Sequence, residues 1–284
     1  MKSHSEWKGC GGPVNALMMK AEFMKRIFVA ICLMCSAALP SRAAEVVVAA
    51  ASDLGFAVKE IITDFERETG NKVRLSLGSS GTFAAQISNG APFDVFLSAD
   101  IAYPQDLEKK GLTEPNSIFV YAVGRIVLWV PKNSPVDVEK LGIQALVAPS
   151  INKIAIANPE HAPYGRAAVS AMEHFSVYDK VKNKLVFGEN ISQAAQFVQS
   201  GAAQIGIIAL SIAVSDSMRA SGKYWQIPVE AYPRMEQAGV ILKQARKANH
   251  IETSRAFMDM FRSPRGRAIL EHYGFFLPKD STAR

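Results

Sequence analysis

The chain has very little cysteine: three in 284 residues, Cys10, Cys32 and Cys35, and none beyond. Past that point disulfides, thiolate metal sites and a cysteine nucleophile are all excluded. Long apolar runs are equally scarce. After the first forty-odd residues no segment is long and apolar enough to span a bilayer. An excess of one charge is also missing from the body of the chain. Of 32 basic residues, six (Lys2, Lys8, Lys20, Lys25, Arg26, Arg42) lie before residue 44, as do two of the 26 acidic ones (Glu6, Glu22). The remaining 26 basic and 24 acidic residues nearly balance, so the pI of 9.2 describes the N-terminal segment and gives no argument for nucleic acid or membrane partners.

That segment has its own pattern. Met24-Lys25-Arg26 is a basic start, Ile27 to Leu39 is apolar apart from Ser36, and Ser41 and Ala43 put small residues at the −3 and −1 positions of a cut after Ala43. This is the form of a secretory signal peptide and predicts export, with 24–43 as the signal and 1–23 as an over-extended start. Leu33-Met34-Cys35 is a poor lipidation signal, because a methionine stands where a small residue is wanted. A free periplasmic product is therefore expected.

The rest, 49% hydrophobic and 20% charged over the whole chain, has the composition of a globular protein. Glu45 to Ala51 is a near-continuous apolar strand of the kind buried on both faces. After Ser52-Asp53 comes a helical stripe of Leu54, Ala57, Val58, Ile61, Ile62 and Phe65, with Lys59, Glu60, Asp64, Glu66 and Arg67 on the water side and Gly70-Asn71 as its stop. The strand Val73 to Leu77 runs into Gly78-Ser79-Ser80-Gly81-Thr82, where Ser80 or Thr82 could cap the next helix. Phe93 to Ser98 is a third strand, followed by a helix near Tyr103 to Lys110. Around Phe119 to Gly124 the pattern begins again, with strands at 125–130, 151–157, 184–187 and 205–210 and helices from Tyr164 and from Ile191. A late strand, 238–242, and two late helices must complete one of the units. Alternating strands and helices predict two α/β lobes, each a mostly parallel sheet flanked by helices.

Four strand-to-helix turns share one construction: Ala51-Ser52-Asp53, Ser79-Ser80-Gly81-Thr82, Ala162-Pro163-Tyr164-Gly165 and Glu189-Asn190-Ile191-Ser192. Turns at the carboxyl ends of parallel strands are where open α/β sheets place ligands. Each offers hydroxyls or first-turn N–H groups, which favour an anion. Any one of them read alone is a simple helix cap. Four together would form a cage of donors needing hardly any cationic side chain.

These turns, with Gly90-Ala91-Pro92-Phe93-Asp94-Val95-Phe96-Leu97-Ser98-Ala99-Asp100 and Asn158-Pro159-Glu160-His161, resemble the periplasmic molybdate-binding proteins of ABC transporters, the ModA family. The resemblance runs from about Glu45 to Pro278. It implies a type II solute-binding fold crossed twice by the chain, with lobe I formed by 44–123 and 232–284, lobe II by 124–231, and the ligand cleft between them. Carried across, Ser52 and Ser80 would each give a hydroxyl and a backbone N–H to the oxyanion, and Tyr164 and Ile191 would give backbone N–H groups. The metal would be reached only through the oxygens of molybdate, with no direct ligand and no cofactor. Some members supply a tyrosine hydroxyl at the end of the strand Gly206-Ile207-Ile208; here that position is Ala209. The function implied is capture of molybdate, with tungstate as a second guest, and delivery to an inner-membrane permease by a monomer that binds no nucleic acid.

Three other readings compete. Sulfate or phosphate is also tetrahedral, so another oxyanion is the alternative within the class. A ferric site would need clustered tyrosines or carboxylates, which the sequence does not offer. An enzyme could use His161, Glu160 and Glu189 as acid and base, but no nucleophile elbow, zinc motif or dinucleotide fingerprint accompanies them. His161 is expected to be a loop residue bonded to its own backbone, and Arg125 and Arg166 to be solvated or structural.

Overall fold

The structure is a computed structural model, and it describes residues 44–278. The expected signal peptide, its cut after Ala43 and the over-extended start lie outside those residues. Among the described residues ten strands form two five-stranded sheets. The first, in the order β2-β1-β3-β10-β4, contains β1 (Glu45–Ala51), β2 (Lys72–Gly78), β3 (Val95–Ser98), β4 (Phe119–Gly124) and β10 (Met235–Ile241). The second, in the order β7-β6-β8-β5-β9, contains β5 (Ile126–Pro131), β6 (Ile154–Ala157), β7 (Leu185–Gly188), β8 (Ile205–Ala209) and β9 (Gly222–Gln226). The chain therefore passes from the first sheet to the second around Arg125 and returns between β9 and β10.

Both sheets are mixed. β10 runs antiparallel to β3 and β4, and β5 runs antiparallel to β8 and β9. In each sheet the reversed strand is one that follows a passage between the lobes. Chain entering from the other lobe is not bound to the right-handed helical crossover that keeps successive strands parallel. β9, which the apolar pattern does not reveal, is a half-exposed edge strand with lysine, tyrosine and tryptophan in place of a buried run.

β1 shows why its sequence is apolar on both faces. Val46, Val48 and Ala50 pack with Leu54, Ile61, Phe65, Phe257 and Phe261 on one side, while Ala49 packs with Phe83, Ile87, Phe96 and Leu107 on the other. Two-residue alternation alone sends neighbouring side chains to opposite layers. The Gly55–Thr69 helix buries Ala57, Val58, Ile61 and Phe65, and Gly70 ends it with φ 71°, a conformation that costs glycine least. One residue of its expected water face is instead enclosed: Asp64 is buried and held by Arg67 at 2.6 Å and Arg265 at 3.0 Å. These guanidinium partners keep its carboxyl below the usual range. The second sheet has a separate core around Trp129, Leu128, Ile156, Met172 and Val198.

Candidate functional site

Parallel pairing brings the turns level with one another. β1 and β2 are in register through Ala51 and Gly78, and β6 and β7 through Ala157 and Gly188. The chain therefore leaves each pair of neighbouring strands at the same height. Ser52, Ser80, Tyr164 and Ile191 are all buried and line a single cavity, together with Asp53, Ser79, Ala99 and Asn190. Its interior is tight: about 10 Å³ is open to the centre of a water-sized sphere, and the 190 Å³ of space between atoms includes open solvent.

Each helix start leaves one donor for this space. In the Ile191–Gln199 helix the Asn190 side chain accepts from Ser192 N and Gln193 N, both at 3.1 Å. Ile191 N–H, ahead of them, has no acceptor inside its own helix. Gln193 completes a variant of the expected capping box: its Oε1 accepts from Glu189 N at 2.6 Å, one residue earlier than the standard arrangement. In the Ser80–Ser88 helix the cap position belongs to Ser79, not to Ser80 or Thr82. Ser79 does not cap with its side chain but donates it to the carbonyl of His161, which also accepts from Gly81 N at 2.9 Å. Of the first-turn donors left without an acceptor, Ser80 N–H belongs to a residue that lines the cavity. The Pro163–His174 helix opens with a proline that has no N–H, so Tyr164 offers the first one.

The two serine hydroxyls are oriented by what they accept. Ala99 N donates to Ser80 Oγ at 3.0 Å, and Ser192 N donates to Ser52 Oγ at 3.3 Å. With a lone pair of each oxygen engaged and no described residue taking its proton, both hydroxyls keep that proton for a guest. The arrangement is thus a shell of neutral donors. Arg125 and Arg166 are not among the residues that line it. Arg125 lies 4.4 Å over the Phe276 ring, and Arg166 binds Asp100 at 2.7 Å and the Tyr103 hydroxyl at 3.0 Å.

The lobes are joined across the cavity by several of these groups. Ser192 Oγ donates to Ser52 O at 3.1 Å, Arg166 reaches Asp100, and Gly81 and Ser79 meet the His161 carbonyl. His161 does not bond to its own backbone: Nε2 lies 3.0 Å from the Glu189 carbonyl and 3.3 Å from its carboxylate.

Beneath the donors lies a buried polar cluster that pattern reasoning missed. Asp53 Oδ2 accepts from Tyr164 Oη at 2.8 Å and from Gln237 Nε2 at 2.6 Å, and Tyr121 Oη donates to Gln237 Oε1 at 3.2 Å. Burial pushes the Asp53 carboxyl up to about 6, although hydrogen bonds from Gln237 and Tyr164 favour its charged form. Burial, aided by the nearby Asp53 charge, also holds Tyr121 and Tyr164 well above the usual tyrosine range, so both stay neutral. The one signal in the sequence was Gln237, a lone amide just before the apolar run Ala238-Gly239-Val240-Ile241. Among the described residues no group of three or more histidines, cysteines or carboxylates could hold a metal ion directly.

Comparison with known proteins gives a consistent result. The sequence model of the family described as bacterial extracellular solute-binding protein matches residues 46–276. The chain is 40% identical to the molybdate-binding protein ModA of Azotobacter vinelandii over 84% of its length and 93% of that protein's. It is 37% identical to the ModA of Rhodobacter capsulatus, over 87% and 94% of the two chains. The solved structure of the Azotobacter vinelandii periplasmic molybdate-binding protein superposes with a TM-score of 0.75 at 34% identity, covering 82% of this chain and all of that one.

Proposed function

The chain belongs to the ModA family of extracellular solute-binding proteins, and from that premise we propose that it captures molybdate outside the inner membrane and hands it to the permease of an ABC transporter. The observation that carries the proposal is the convergence of Ser52, Ser80, Tyr164 and Ile191 on one cavity. Each brings a donor that its own helix or neighbours leave unused. A hydrogen bond to a charged group contributes roughly 1.5–3 kcal/mol net, so six such donors, two from each serine and one from each of Tyr164 and Ile191, can offset the loss of water around a dianion.

We assign lobe I to 44–123 with 232–284 and lobe II to 124–231, with residues 24–43 acting as the export signal of a periplasmic monomer. Tungstate, with the same charge and shape, is a second guest. Selection against sulfate rests on cavity size, because an equal number of donors serves every tetrahedral dianion and only a closed shell of fixed size distinguishes them. No catalytic step is assigned. The carbonyl of His161 joins the lobes and its ring rests on Glu189, which leaves it no proton-transfer role toward the cavity.

Calorimetric titration of the mature protein with molybdate, tungstate and sulfate tests this reading. The expected result is one site per chain, tight for the first two and much weaker for sulfate. Preference for sulfate or phosphate would move the assignment to another oxyanion, and turnover of a small anion would move it to an enzyme.

A further inference from the structure

Arg166 follows Tyr164 by two residues in the Pro163–His174 helix and directs its guanidinium to the other lobe. Nη2 donates to Asp100 Oδ2 at 2.7 Å and Nη1 to Tyr103 Oη at 3.0 Å, and the guanidinium carbon lies 5.6 Å from the centre of the Tyr103 ring. The ion pairs of Lys72, Lys110, Lys182 and Arg246 each stay within one lobe, whereas this one crosses between them. Its two partners flank the turn that carries Ser80. Asp100 follows Ala99, whose N–H holds Ser80 Oγ at 3.0 Å. Tyr103 Oη stands against Gly81, 2.8 Å from the place a Cβ would take there. One side chain therefore fastens the helix start that presents Tyr164 N–H to the segment that fixes the Ser80 hydroxyl.

A contact that forms only when the lobes meet stabilises the closed state alone. It slows opening and leaves entry into an open cleft unaffected. Arg166 does not line the oxyanion cavity; with Asp100 it borders a separate cleft beside Pro163, Pro233 and Met235. The Arg166 and Asp100 side chains are 41% and 30% exposed, so water and salt reach the pair and its strength is moderate. A moderate tie suits a carrier that must give its guest up again.

We propose that Arg166 is a positioning residue for oxyanion capture: through Asp100 and Tyr103 it latches the closed lobes and sets how long a guest is held, without touching it. This rests on the lobe assignment and the oxyanion reading given above.

The test follows radiolabelled molybdate onto and off the mature protein, with release chased by unlabelled anion. It compares wild type, Arg166→Gln, Asp100→Asn and the double variant. Asparagine at position 100 keeps an oxygen for Ala102 N–H, which donates to Asp100 Oδ1 at 2.9 Å, so the local turn is retained. Release should be roughly three- to tenfold faster in either single variant, with association within about twofold of wild type. The double variant should release no faster than the single ones, because all remove the same contact. Wild-type release should quicken with added sodium chloride, and the variants should lose that dependence. Denaturant midpoints of the unliganded proteins should match, since the latch parts when the lobes do.

Unchanged release in both single variants overturns the inference. So does an effect confined to association, which would make Arg166 a distant attractor of anions, and so do additive effects in the double variant. Midpoints that fall in step with affinity would make the pair a structural brace and also overturn it. Salt-independent release from wild type does the same, and that measurement needs no variant to fold. Failure of the wild-type protein to bind molybdate overturns the proposed function instead.

Discussion

Tyr164 Oη and Asp53 Oδ2 are joined by a hydrogen bond of 2.8 Å that runs between the two lobes under the cavity floor. Tyr164 thus has two separate tasks: its N–H faces the cavity as the first free donor of its helix, while its hydroxyl ties the lobes together. Removing the hydroxyl alone should separate them. Tyr164→Phe should keep one molybdate site and weaken binding only modestly. It should lower unfolding stability by about 1–3 kcal/mol, the cost of depriving the buried Asp53 and Gln237 of a partner. Denaturant unfolding beside calorimetry checks both halves; an abolished site would mean that the hydroxyl itself is a ligand.

Ser80 is expected to matter more for binding. Ser80→Ala removes a hydroxyl proposed to donate to the guest and leaves Ala99 N–H without its acceptor. The affinity should fall by about 1–3 kcal/mol, roughly 5- to 150-fold. Unchanged affinity in a titration would remove Ser80 from the site.

Gly81 sits at a contact between the lobes, its N–H on the His161 carbonyl. A Cβ added there would lie 2.6 Å from the His161 carbonyl oxygen and 2.8 Å from Tyr103 Oη, one in the opposite lobe and the first of them main chain. Gly81→Ala should therefore hold the lobes apart. Small-angle scattering should show the wild type contracting on addition of molybdate, as hinged domains do on closure, and the variant failing to contract. A variant that closes normally would show that the approach is not a limiting one.

The carboxyl of Asp53 also makes stability depend on pH. Its value in the folded protein, about 6, lies above the 3.8 of the free side chain, so between those values the folded state binds more protons than the unfolded one. Stability of the unliganded protein should be fullest below about pH 4, fall as pH rises through about 6, and stay lower beyond. A shift of that size corresponds to at most about 3 kcal/mol. Asp53→Asn should recover part of it above pH 6. Thermal melts across pH check the sign, and a variant less stable than wild type above pH 6 would contradict it.

Much of this was legible because the site is built from main chain. A strand that ends in a serine and a helix start is readable from local pattern, and register then carries Ser52 and Ser80, or Tyr164 and Ile191, to one level without long-range information. The Asp53, Gln237 and Tyr121 cluster was not legible, because its members are far apart in sequence and meet only when β10 returns from the second lobe. Asp64 was misplaced for a similar reason: helical spacing puts it toward water, but Arg265, some 200 residues later, covers it. Ser80 or Thr82 read as the cap of the next helix; the cap position falls to Ser79, whose hydroxyl the approach of His161 diverts.

The most direct measurement is a crystal structure of the molybdate-bound protein, with the metal located by anomalous scattering. The expected result is one molybdenum peak in the cavity bounded by Ser52, Ser80, Tyr164 and Ile191. Its oxygens should lie within hydrogen-bond distance of the two hydroxyls and the four N–H groups, with no arginine or lysine in contact. A peak beside Arg166 or Arg125, or one coordinated directly by side-chain oxygens, would contradict the idea that neutral donors hold the dianion.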